Sequence, residues 1–288
     1  MKISGFTFIR NAVLYDYPIV ESIKSILPLC DEIIVAVGKS DDETLTLIQS
    51  IPSKKIKIIE TEWDLSLREG GQVLAEETNK ALAEVSKDSD WCFYIQGDEV
   101  VHEKYHGTIK QAMIKWKDDE NVEGLLFKYL HFYGSYSYVG DSRKWYRREI
   151  RVIKNNKSIS SYKDAQGFRL NMQKLKVKEI DAYIYHYGWV KPPEQQSAKI
   201  RNFLSHWHKD DYIKKNQPND AFDYSTIDSL RNFEASHPKV MQNRIEQKNW
   251  DFDFDPTKKN FGLKSKLLYI LEKATGWRPG EYKNYKKL

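Results

Sequence analysis

In the first hundred residues short apolar runs alternate with amphipathic ones, and that order restricts the fold more than any other feature of the chain. Residues 3–9 carry Ile3, Phe6, Phe8 and Ile9 and read as a strand. Asp16 and Pro18 suit a helix start, because proline near the first turn sacrifices no hydrogen bond. Ile19, Val20, Ile23, Ile26 and Leu27 then form one apolar stripe. Glu32 to Val37 is a continuous apolar run, the pattern of a strand buried on both faces. Ser40 precedes Glu43 by three residues, a capping box for a helix with Leu45, Leu47, Ile48 and Ile51. Ile56 to Ile59 reads as a third strand, residues 72–86 as a third helix, and Trp91-Cys92-Phe93-Tyr94-Ile95 as a fourth strand. Such alternation predicts an α/β fold with a mainly parallel sheet flanked by helices.

The fourth strand runs into Gln96-Gly97-Asp98-Glu99. Two adjacent carboxylates at the mouth of a buried strand are costly to hold unless something positive neutralises them. A hard divalent cation carrying phosphate oxygens would do so. A plain polar turn accounts for the same residues. Position favours a site, because open parallel sheets bind ligands at the carboxyl ends of their strands.

The second half changes character. Residues 103–117 read as a helix, Leu125, Phe127 and Tyr129 as a strand, Tyr133 to Tyr138 as a loop, and Ile180 to Tyr187 as another strand. Pro192-Pro193 marks a break, and residues 194–248 are polar and largely helical in period. The expected division is a domain over residues 1–190 and a basic, helical C-terminal extension over 191–288. From Lys258 onward nine Lys or Arg face two acids, a net of +7 in a chain of +5, so the first 257 residues sum to −2. That distribution gives the body no nucleic-acid-binding character. Cys30 and Cys92 lie in apolar patterns and read as buried thiols, which suits a reducing compartment. No apolar run reaches membrane-span length and the N-terminus lacks a signal-peptide core, so a cytoplasmic enzyme is expected.

Four local motifs, taken in order, resemble the family 2 nucleotide-sugar glycosyltransferases of GT-A fold. They are Phe8-Ile9-Arg10-Asn11, then Asp31 to Val35 followed by Gly38 to Thr44, then Gly71 with Asn79 and Ala81, and last Tyr94 to Glu99 as the Asp-x-Asp strand end. The match covers roughly residues 1–190. Two positions depart from the family pattern: Ala36 and Val37 stand where an acid usually closes the second strand, and Gln96 replaces the first Asp of Asp-x-Asp. The resemblance implies a nucleotide-diphospho-sugar donor and a divalent metal, Mn2+ or Mg2+. It places metal ligation on Asp98, with Glu99 and His186 as further candidates, and donor binding on Arg10, Asn11, Asp41, Gln96, Asp98 and Arg147. Asp164 is the candidate base, with Asp141 and Glu149 as rivals, since an inverting transferase must take a proton from the acceptor hydroxyl.

Other features carry two readings each. The Arg-rich run Arg143 to Arg151 suits a diphosphate clamp, or a strand whose Glu149 and Arg151 point outward. Tyr133, Tyr136, Tyr138, Trp145 and Trp189 suit an acceptor-sugar platform or core packing. His102 suits a site or a helix start. Leu263, Leu267, Leu268, Ile270 and Leu271 among lysines suit a membrane-surface helix, or a helix packed on the body with its lysines in water. No P-loop, paired zinc cysteines, nucleophile elbow or dinucleotide glycine fingerprint occurs. The expectation is therefore a hexosyltransferase-like enzyme that transfers sugar, with inversion, to a saccharide or lipid-linked glycan acceptor, with possible peripheral membrane contact through the basic C-terminus. A nucleotidyltransferase or a non-catalytic carbohydrate-binding protein are the alternatives.

Overall fold

A computed structural model describes residues 1–67, 69–205 and 221–288. Four strands of the first half, β1 (Ile3–Ile9), β2 (Glu32–Gly38), β3 (Ile56–Thr61) and β4 (Trp91–Tyr94), alternate with α1 (Ile19–Ile26), α2 (Thr44–Gln49) and α3 (Gln72–Ala83). They lie side by side as β3-β2-β1-β4, all parallel. The sheet is buried on both faces because odd and even positions of each strand pack into different cores. Ile3, Ile33, Val35, Trp91 and Phe93 meet Ile19, Ile23 and Ile26 of α1 on one side. Phe6, Ile34, Ala36, Cys92 and Tyr94 meet Ala81 of α3 on the other. Each such fully buried side chain contributes roughly 1.5–3 kcal/mol. The chain builds outward from β1 to β3, then crosses back to place β4 on the other side of β1. The order therefore reverses at β1, the place where open sheets bind ligands.

Beyond β4 the sheet becomes mixed. It adds β5 (Glu99–Val101), β6 (Gly124–Tyr133), β7 (Ser135–Gly140), β8 (Arg148–Lys154), β12 (Lys176–Trp189), β13 (Leu230–Asn232) and β14 (Lys286–Lys287), while β9 (Ile159–Tyr162), β10 (Gly167–Leu170) and β11 (Gln173–Lys174) form a small second sheet. Helix α4 (His106–Trp116) follows β5, and α5 (Pro193–Ser205) follows β12. Residues expected as a loop, Tyr133 to Tyr138, form the β6–β7 hairpin, turned at Gly134 with φ 69°. The C-terminal hundred residues return to the sheet, where β13 pairs with β7 and β14 with β12. Part of the helical reading of 194–248 falls on residues 206–220, outside the described residues.

The helix Leu263–Thr275 docks through its polar side. Tyr269 and Lys273 both bond Asp141, and Glu272 pairs with Arg143 and Arg278. Most of its apolar residues face outward, with Leu263 87% exposed, Leu267 70%, Ile270 54% and the following Trp277 63%, while Leu268 and Leu271 are half-buried. The helix is packed on the body, but with the opposite face from the one its apolar stripe suggested.

Candidate functional site

The loops after β1, β2 and β4 meet at the carboxyl edge of the parallel strands. Asn11 sits in the left-handed region (φ 53°) and exchanges two hydrogen bonds with Asp41, its Nδ2 donating at 3.1 Å and its Oδ1 accepting from the Asp41 amide at 2.8 Å. Arg10 donates to the Lys39 carbonyl at 2.9 Å, stands 3.6 Å from Asp41 and lies over the Trp63 ring. Ser40 accepts the Asn11 amide proton rather than capping α2; Asp42 takes the capping role, accepting from the Thr44 amide. Arg10, Asn11 and Asp41 thus form one joined edge.

Asp98 and Glu99 part company across one peptide bond. Glu99 is fully buried in β5, and Arg151, buried beside it, donates to both its oxygens at 2.7 Å, while the Tyr129 hydroxyl donates to Oε1 at 2.7 Å. Arg151 and Glu149 both point inward, which corrects the outward-facing reading of that strand. Glu99 holds the floor of the site through an ion pair.

Asp98 turns to the opposite side. Its Oδ2 accepts from Lys199 Nζ of α5 at 2.9 Å and stands 3.7 Å from His186 Nε2 of β12. Lys199 also donates to the Gly188 carbonyl at 2.9 Å. Burial opposes the charge of Asp98, but Lys199, with Lys191 behind it, outweighs burial and holds the carboxyl well below its usual range. His186 faces Glu99 across the β5–β12 pairing and His131 across β6. His131 Nε2 lies 2.8 Å from the Tyr146 carbonyl and its Nδ1 lies 3.3 Å from His186 Nδ1. Burial pushes both imidazoles down, His131 further because His186 adds to it. A carbonyl only accepts, so the neutral His131 carries its proton on Nε2 and accepts at Nδ1. His186 then carries its proton on Nδ1, and its Nε2 faces Asp98 as an acceptor. Two acceptors side by side call for a cation.

Lys191 is fully buried nearby, donating to the carbonyls of Tyr15 at 2.6 Å and Asp16 at 3.1 Å. Its Nζ lies 4.6 Å from the centre of the Tyr17 ring, and Lys199 Nζ lies 4.8 Å from the same ring. Neither lysine stands out in the sequence: Lys191 immediately precedes the Pro192-Pro193 break and Lys199 follows it, and nothing local marks either as facing Asp98.

The other candidates are distributed as follows. Gln96 donates to the Ala165 carbonyl at 3.3 Å, which brings the turn carrying Asp164 against the end of β4. Asp164 is half-buried, and burial pushes its carboxyl up. Glu149 is buried in the same region, and burial pushes it up to about 8. Asp141 is held by Lys259, Lys273 and Tyr269. Arg147 forms a two-pronged pair with Glu281 at 2.8 and 2.6 Å, which ties β8 to the C-terminus and away from Asp98. Tyr133, Tyr136 and Tyr138 are buried against Tyr224, His237 and Phe252, so they are core and not a platform. Trp145 and Trp189 keep partial exposure; Trp145 stacks on His131 and, with Arg147 and Glu272, lines a cavity of about 170 Å³. His102 accepts from the Lys104 amide at the start of a short helical turn, a structural role.

A divalent metal needs more oxygen donors than these residues present. Glu99 is committed to Arg151, Gln96 brings an amide, and the Asp98 oxygen that faces His186 already holds an ammonium. Among the described residues no group of three His, Cys, Asp or Glu is arranged to hold a metal ion. The donor set does not fit the expected Mn2+ or Mg2+.

The sequence matches no protein-family model and no curated protein. Solved structures with a similar chain trace include S. aureus TarS 1-349 in complex with UDP (17% identity, TM-score 0.41, covering 75% of this chain and 69% of that one). They also include glucosyl-3-phosphoglycerate synthase from Mycobacterium tuberculosis in complex with Mn2+, UDP and phosphoglyceric acid (19%, 0.30, 45% and 43%). A third is 4-diphosphocytidyl-2C-methyl-D-erythritol synthase from Anaerococcus prevotii (11%, 0.33, 54% and 70%). The chain spans 42% of the longer TarS structure. These scores are too low to carry an argument, and the site is argued from its own residues.

Proposed function

We propose that the chain is a GT-A-type glycosyltransferase that moves a sugar from a nucleotide-diphospho-sugar to an acceptor hydroxyl. The observation that carries this reading is Asp98, a buried and strongly ionised carboxylate at the carboxyl end of a parallel strand, flanked by the joined Arg10, Asn11 and Asp41 loops and by two lysines. The loops of β1 and β2 supply donors and acceptors for a nucleotide, with the Trp63 ring beside Arg10 as a flat neighbour for a base. Asp98 and its cations mark where the diphosphate lies. Asp164 is the base in this reading: its raised affinity for a proton suits it to accept one from the acceptor hydroxyl as that oxygen bonds the anomeric carbon and the diphosphate leaves. The acceptor, a saccharide, is placed beside His131 and Trp145, and transfer proceeds by single displacement with inversion.

The outward apolar face of the helix Leu263–Thr275, fringed by Lys264 and Lys266, supports contact with an anionic membrane surface and so a lipid-linked acceptor.

The test is thermal unfolding with UDP, GDP, dTDP or CMP at millimolar concentration. One nucleotide should raise the midpoint well above the others, as a ligand at 100 times its Kd adds about 2.7 kcal/mol. Asp98→Ala should remove that selectivity and lower transfer by at least about 100-fold. Equal, negligible shifts with all four would sink the assignment.

A further inference from the structure

A diphosphate leaving group carries its charge into the site, and the site must answer it with positive charge of its own. In a metal-dependent site one carboxylate and one divalent cation leave a single net positive charge. Among the described residues the metal donor set is lacking, yet the arithmetic still closes. Asp98 contributes one negative charge, and Lys199 and Lys191 contribute two positive ones, for the same net result.

The geometry supports the exchange. Lys199 Nζ sits on Asp98 Oδ2 at 2.9 Å, on the carboxylate oxygen that His186 Nε2 approaches to 3.7 Å. An ammonium has three N–H donors. Among the described residues Lys199 gives two of them to Asp98 and the Gly188 carbonyl, and Lys191 gives two to the Tyr15 and Asp16 carbonyls. Each therefore keeps one N–H; that of Lys199, whose side chain is 15% exposed, is open to a ligand oxygen, while Lys191 is fully buried behind it. The Tyr17 ring lies beside both ammonium groups, its centre 4.6 Å from Lys191 Nζ and 4.8 Å from Lys199 Nζ. Two ammonium groups brought together by one ring are unfavourable unless an anion joins them. Asp98 and Asp16 compensate part of this charge, and an anionic ligand would compensate the rest.

We propose that Lys199, backed by Lys191, supplies the positive charge that holds the diphosphate beside Asp98, in the position a divalent metal takes in metal-dependent transferases. This deepens the transferase reading and rests on it for the identity of the ligand. Asp98 is then a positioning residue that fixes the Lys199 ammonium, and Gln96 needs no charge because no metal has to be shared with it. Burial and the neighbouring Lys199 charge push Lys191 below its usual value, and an incoming anion opposes that push and favours the ammonium form.

Inorganic pyrophosphate and the nucleotide selected in the thermal series are the probes, titrated calorimetrically against the full chain in EDTA and again with Mn2+. Both should bind in EDTA with affinity changed less than threefold by Mn2+. Lys199→Met should weaken both at least about 30-fold, Lys199→Arg should keep most of the affinity, and Lys191→Met should cost less than Lys199→Met. Near-ultraviolet circular dichroism of each variant checks that the aromatic packing survives, and the arginine variant carries the test if the methionine one unfolds. Binding that requires Mn2+ and vanishes in EDTA would overturn the proposal, as would a folded Lys199→Met variant that binds like the parent. Pyrophosphate binding that depends on Lys199, with no nucleotide bound better than pyrophosphate, would keep the anion site and remove the nucleotide-sugar reading. Failure of every probe in both conditions would overturn the two together.

Discussion

Asp98 and Glu99 show how little adjacency in sequence says about a carboxylate. Glu99 lies on a strand and points into the layer that holds Arg151, so its charge is spent on structure. Asp98 lies in the turn before it and meets Lys199. The Glu99–Arg151 pair is fully buried, and removing one partner leaves the other charge stranded. Arg151→Met should cost about 3–5 kcal/mol, read from the urea midpoint. Nearby, Glu149 is buried with Oε2 lacking a partner among the described residues, and its carboxyl is pushed up to about 8. A raised folded-state value means that the protonated form stabilises the fold. That contribution is complete below the ordinary value of 4.5 and is lost as pH rises through about 8. The melting temperature should therefore fall across this window by several degrees, at about 2–4 °C per kcal/mol. Glu149→Gln should flatten the fall; an unchanged slope would place the titration elsewhere.

Among the elements, β12 organises the site. One strand holds His186 between Glu99 on β5 and His131 on β6, and its register shifts between His186 and Trp189. That irregularity contains Gly188, whose carbonyl holds Lys199 and whose missing side chain leaves room for Asp98 and His186. A Cβ there would lie 2.6 Å from Asp98 Oδ2 and 2.7 Å from His186 Cε1. Gly188→Ala should displace both, lowering transfer by about 10–100-fold while the helices keep their circular dichroism. The β6–β7 hairpin teaches the complementary lesson. Its tyrosines read as polar loop residues because Ser and Gly interrupt them, but Phe252, Tyr224 and His237 arrive from the C-terminal region and cover them. Residues roughly ninety to one hundred and fifteen positions away decided their burial.

At the scale of the whole molecule, charge is divided: the last thirty-one residues hold a net +7 and the rest −2. Arg143, Arg147 and Arg278 gather Glu272 and Glu281 into the seam between sheet and C-terminus, so the acids of that region are used internally. Lys264 and Lys266 are exposed beside Leu263, Leu267 and Ile270, while Lys273 is paired with Asp141. Each basic residue near an anionic surface adds about 1 kcal/mol. The full chain should sediment with vesicles containing anionic lipid at low salt and remain in the supernatant with zwitterionic ones. Leu267→Glu with Ile270→Glu should abolish sedimentation and leave the melting temperature unchanged. Retained binding in the double variant would place the contact elsewhere, and a concentration-dependent dimer lost in that variant would assign the face to a second copy.

Local periodicity carried the parallel half of the sheet, its flanking helices and the position of Asp98 at a strand end, because those depend on residues a few positions apart. Motif order carried the joined Arg10, Asn11 and Asp41 edge. The roles of individual charges needed the fold. Glu99 became structural because β8 delivers Arg151 to it, Arg147 turned to the C-terminus because Glu281 arrives there, and Asp98 gained its cation from α5, one hundred residues later. A charged group settles on whichever opposite charge the tertiary structure leaves it, and no spacing along the chain states that distance.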